Sequence, residues 1–67
     1  MGQLTKEDMY DIALKTRAYE YLNNYQHLDI VAYFEMQCTG PVIAELVRNE
    51  GAHWVIGTLG ILIEDLR

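Results

Sequence analysis

Leu28-Asp-Ile-Val-Ala-Tyr-Phe-Glu-Met-Gln-Cys38 is the stretch on which the fold class turns. Ile30, Val31, Phe34 and Cys38 fit one side of a helix. The same stretch also alternates as a strand would, with Ile30, Ala32, Phe34, Met36 and Cys38 set against Val31, Tyr33, Glu35 and Gln37. A strand at about 29–38 makes the fold α+β; a helix leaves the chain all-α. We favour a helix over about 29–37, because no second stretch alternates clearly enough to pair with a strand. An isolated strand has nowhere to place its N–H and C=O groups.

Working outward, the preceding segment has the clearest start signal. Thr5 followed by Asp8 resembles a capping box, and Glu7 and Asp8 stand where the helix dipole favours negative charge. A helix is predicted from Lys6 to about Asn24, with Tyr10, Leu14, Ala18, Tyr21, Leu22 and Tyr25 along one side. Asn23 and Asn24 weaken it, and Asn-Asn-Tyr-Gln-His reads as a turn before a second apolar block opens at Leu28 or Asp29. On the other flank, Thr39-Gly40-Pro41 is a break. Proline at a first helical position loses no needed hydrogen bond, so a helix should start at Pro41. Its apolar side is Val42, Ile43, Leu46 and Val47, and Gly51 is placed to end it in the left-handed conformation. A last helix begins near Ala52. No repeat, linker or composition shift divides residues 1–67, which read as a single small domain of three to four short helices.

The last segment, Ala52 to Arg67, is apolar on nearly every side; from Trp54 to Ile63 only Thr58 is polar and nothing is charged. A surface helix on a small monomer should show a polar face. A chain of this size buries only about 60% of the surface its unfolded form exposes, so its stability needs a supplement. The single Cys38 cannot make an internal bridge, and His27, His53 and Cys38 are too few and too scattered for structural zinc. Self-association is the remaining supplement, and an intertwined or bundled homo-oligomer, a dimer first of all, is expected. Val55, Leu59, Leu62 and Leu66 recur at seam spacing and, with Trp54 and Ile63, form the expected oligomer interface. Gly57 and Gly60 lower helix propensity and would let a neighbouring backbone approach.

Composition narrows the partners. Hydrophobic residues make up 51% of the chain, so it should fold rather than remain disordered. Ten acids against five dispersed cations give a formal charge of −5, a poor match to a phosphate backbone, so no nucleic-acid partner is expected. The amino terminus is polar and acidic, and the apolar run 54–63 is about half of the ~20 residues that span a bilayer. A cytoplasmic, soluble protein without a membrane partner is the expectation, and the lone thiol fits a reducing compartment.

Function is less legible. Five tyrosines lie between positions 10 and 33, and tyrosine offers interfaces a large rigid body with a polar tip. Tyr10, Asp11, Arg17, Tyr21 and Tyr25 are therefore expected to face a protein partner, although boundary-core positions with surface hydroxyls account for the tyrosines as well. Cys38 with His27 or His53 supplies residue types for nucleophile and base, but a fold this small has little room for a walled pocket. No enzyme, catalytic residue, cofactor or metal is expected. The break between residues 28 and 51 suggests a helix-turn-helix, yet its would-be recognition helix has one Arg against two acids. A nucleic-acid-mimicking inhibitor of a basic protein is a further alternative, weakened by Lys15 and Arg17 interrupting the acids of the first helix. The reading that results is a small acidic protein-binding regulator or inhibitor, of the kind phages and mobile elements often encode as accessory proteins.

Overall fold

A computed structural model describes residues 3–67 and contains four α-helices, with no strand among the described residues: α1 Lys6–Asn24, α2 Ile30–Gln37, α3 Pro41–Glu50 and α4 Ala52–Leu66. Each boundary has a local cause. At the start of α1 the Thr5 hydroxyl accepts from the Asp8 N–H at 3.1 Å, and the Thr5 N–H donates to the Asp8 carboxylate at 3.3 Å. This closes the capping box read from the sequence and occupies N–H groups that a helix start leaves without partners. Asp29 caps α2 by accepting from the Val31 N–H at 3.2 Å. Gly40 is extended and Pro41 opens α3, as the break predicted.

The disputed stretch is helical, and its burial shows why. Tyr33 is completely buried and Cys38 nearly so, while Ile30 and Phe34 pack against the core. Met36, which a strand would have turned inward with Ile30 and Phe34, is 57% exposed. The inward set 30, 33, 34, 38 follows a period of 3.6 rather than 2.

Gly51 serves as the last cap of α3 and the first of α4, with φ +94° and ψ 150°. Positive φ is as the sequence suggested, but ψ is extended rather than left-handed helical, a region essentially reserved for glycine. The chain thus reverses through one residue.

α3 runs back along α1, bringing Glu45 to Tyr10, while α4 runs alongside α1 in the same direction, with Trp54 near Tyr10 and Ile63 near Tyr21. α4 packs most extensively against α1, then α3, then α2. The core is Leu14, Ala18 and Tyr21 of α1, Tyr33 of α2 with the adjoining Cys38, Ile43 and Leu46 of α3, and Val55, Leu59 and Ile63 of α4.

Two expectations for α4 are corrected by this packing. Its buried row is Val55, Leu59 and Ile63, at a constant spacing of four, with Leu62 and Leu66 half-buried beside it. That row is covered inside the chain by α1, α2 and α3, so the argument that α4 lacks a cover of its own falls away. The glycines also play no close-packing role, since a Cβ added at Gly57 or Gly60 would meet nothing within 4 Å.

Candidate functional site

Three tyrosines of the sequence stretch 10–33 form a cluster, with Tyr21 and Tyr33 buried and Tyr25 partly so. Tyr21 and Tyr33 meet edge to face with ring centroids 5.2 Å apart, and Tyr25 lies 5.4 Å from Tyr33. A buried tyrosine needs a partner for its hydroxyl. Tyr21 donates to the Leu28 carbonyl at 2.6 Å, tying the end of α1 to the turn before α2. Tyr33 donates to the Glu20 carboxylate at 2.7 Å, with the Arg17 carbonyl at 3.0 Å. Arg17 completes the network by donating to the same Glu20 oxygen at 3.1 Å.

The electrostatics follow from these bonds. The Tyr33 hydroxyl, aided by Arg17, holds Glu20 below its ordinary value of 4.5 against the opposing effect of desolvation. Burial first, and then the hydrogen bond to Glu20 and its charge, push Tyr33 far above its ordinary 10.0. Burial likewise raises Cys38, which keeps that thiol protonated and unreactive at neutral pH. These groups serve the core. Tyr21 is thereby corrected from partner-facing to core, because its ring is needed against Tyr33 and its hydroxyl is spent on Leu28. Tyr25 is half-buried in the same cluster. Arg17, mostly covered and paired with Glu20, lines a separate shallow groove with Thr16 and Gly40.

Tyr10 has a different setting. Its hydroxyl donates to Glu45 of α3, and the Asn49 side-chain amide donates to it at 3.4 Å. The bond to Glu45 raises Tyr10, with Glu50 adding to the effect, and the same bond together with Lys6 lowers Glu45. Lys6 stands 3.6 Å from that carboxylate. Beside this linkage an open groove of about 310 Å³ runs between α1 and the α3–α4 junction, lined by Glu7, Tyr10, Asp11, Leu46, Glu50 and Trp54.

The groove's geometry follows from helix spacing. Glu7 and Asp11 are one turn apart on α1 and so lie on the same side, with Tyr10 beside them. Glu50 ends α3, and Trp54 follows within the first turn of α4 because Gly51 reverses the chain between them. Trp54 is 45% exposed, a large aromatic left open to solvent, whereas Leu46 is buried and forms an apolar floor.

The structure thus brings together Tyr10, Asp11 and Trp54, which the sequence placed in two different expected surfaces, and separates them from Arg17, Tyr21 and Tyr25. Among the expected interface residues, Val55, Leu59 and Ile63 are core and Leu62 and Leu66 pack against it. Glu7, Leu46 and Glu50 were missed as a group, since nothing in their spacing joins the start of α1 to the end of α3.

Among the described residues no three His, Cys, Asp or Glu side chains converge on a point where a metal ion could sit. Among the same residues no helix is long and apolar enough to cross a membrane. No family model, curated protein or solved structure matches the chain.

Proposed function

We propose that this chain is an acidic protein-binding module, a regulator or inhibitor that acts by occupying another protein rather than by catalysis. The observation that carries the reading is the groove beside Trp54. A core this small gains from every aromatic it can bury, yet the only tryptophan lies 45% exposed on the wall of a groove whose other wall carries Tyr10. Exposed tryptophan and tyrosine beside a depression are the residue types that dominate binding energy at protein interfaces.

The reading does not require a second copy of the chain. The apolar row of α4 is satisfied by α1 and its neighbours, and the acids concentrated near the groove favour a partner of opposite charge over an identical acidic chain.

Affinity capture from cells of the source organism, run in parallel with wild type and Trp54→Ala, tests the proposal. Wild type should recover one protein in stoichiometric amount, and Trp54→Ala should lose it by about tenfold or more, as expected for an interface anchor. Equal recovery by both chains, or none by wild type, would sink the proposal.

A further inference from the structure

The lining of this groove identifies the chemistry of its occupant. Three carboxylates from two helices, Glu7, Asp11 and Glu50, surround Tyr10, Trp54 and the apolar floor made by Leu46. The two lysines of α1 nearby are already engaged. Lys6 is paired with Glu45 outside the lining, and Lys15 reaches only Asp11, at 3.1 Å. Among the described residues Glu7 and Glu50 form no ion pair. The site therefore combines an aromatic wall, an apolar floor and a rim of negative charge.

Resting on the protein-binding reading above, we propose that the groove takes a lysine or arginine side chain presented by the partner protein. The fit has three parts. The methylene stem of such a side chain packs on apolar surface while its charged head stays at the rim, so Leu46 and Trp54 receive the stem. The head then meets the Glu7 and Glu50 carboxylates, as charge-assisted hydrogen bonds require. Trp54 and Tyr10 supply π faces, which attract cations, tryptophan most strongly. At about 310 Å³ the groove is at the small end of ligand pockets, room for one side chain and its immediate neighbours. An acidic or phosphorylated segment would meet the unpaired Glu7 and Glu50 carboxylates and is rejected by the same lining.

Trp54 is the sole tryptophan, so its fluorescence reports directly on the groove. The experiment titrates the full chain with capped Ala-Leu-Arg-Leu-Ala, its lysine counterpart, and the citrulline version, which keeps the shape of arginine without its charge. Saturable changes in Trp54 emission are expected for the arginine and lysine peptides, with citrulline about fivefold weaker or worse, the ratio that one exposed cation–π or ion-pair contact confers. Raising salt should weaken the charged peptides and leave citrulline nearly unchanged. Glu7→Gln with Glu50→Gln should reduce the preference for charge while the thermal unfolding midpoint moves by about 5 °C or less, the size of a first-turn dipole contact. Glu50→Gln alone repeats the test if the double variant loses its fold.

Equal binding of arginine and citrulline peptides, or a charge preference untouched by these variants, would overturn the proposal. The two readings can fail separately. A partner captured by wild type and by Glu7→Gln/Glu50→Gln, but lost by Trp54→Ala, leaves the protein-binding module standing and removes its cationic occupant.

Discussion

Leu59 and Ile61 are two positions apart on α4 and nearly the same in chemistry, yet Leu59 is fully buried and Ile61 is 66% exposed. Two tyrosines show the same contrast. Tyr33 is sealed in the core against Tyr21 with its hydroxyl on Glu20, while Tyr10 edges an open groove. Both tyrosine hydroxyls are bonded, Tyr33 to Glu20 and Tyr10 to Glu45, but only the inward set is sealed by packing on every side. What separates buried from exposed positions here is therefore orientation, because residue type is shared between them.

The contrast is most exposed to failure at α4. Leu59→Ala removes a fully buried side chain and should destabilise by about 2–5 kcal/mol. A domain of 67 residues has a total stability of only about 3–10 kcal/mol, so this variant should lose a large fraction of it. Ile61→Ala should change stability by about 0.5 kcal/mol or less, as a surface substitution does. Urea unfolding of both variants decides the matter. Similar losses from the two would mean that Ile61 is covered after all, as self-association through the outward face of α4 would require.

The tyrosine network comes next in size. Tyr33→Phe keeps the ring and removes the hydroxyl from Glu20, for an expected loss of about 1–3 kcal/mol at neutral pH. The pH dependence gives a sharper signature. Glu20 is lowered in the folded state, so its contribution is present above its ordinary value of 4.5 and is lost as pH falls through the depressed one. Tyr33 is raised, so its contribution is present below 10.0 and is lost as pH rises beyond that point. Thermal midpoints measured from acid to alkaline should therefore show two shoulders in wild type, and Tyr33→Phe should blunt both. Unchanged shoulders would detach the hydroxyl from this role.

A change at Gly57 has the opposite sign. A Cβ at Gly57 meets nothing within 4 Å, so Gly57→Ala should stabilise by up to about 1 kcal/mol through helix propensity alone. A destabilised Gly57→Ala would show that something does approach this helix closely, and would return the outward face of α4 to the list of contact surfaces.

Much of the fold was legible because helix ends are written locally. The Thr5/Asp8 box, Pro41 and Gly51 each fix a boundary through atoms only a few residues apart, and all three boundaries lie where the sequence put them. The stripe Tyr10, Leu14, Ala18, Tyr21, Leu22 and Tyr25 also proved to be the inward side of α1. The identity of residues 28–38 was harder, because eight helical residues hold only about two turns of period, too few to outweigh an accidental alternation.

The candidate site was the least legible part. Tyr10 and Asp11 were singled out as a tyrosine and an acid of one helix, and Trp54 for opening another, but joining them takes Glu50 and the reversal at Gly51.

The sequence alone determined where α1, α3 and α4 start and where α3 stops, because capping and backbone preferences act over single turns. Only the tertiary structure decided that α1, rather than a second chain, covers Val55, Leu59 and Ile63, and that Tyr33 goes inside while Trp54 stays at the rim. Those outcomes depend on which helix faces lie opposite one another, and packing is a property of the pair, absent from either segment alone.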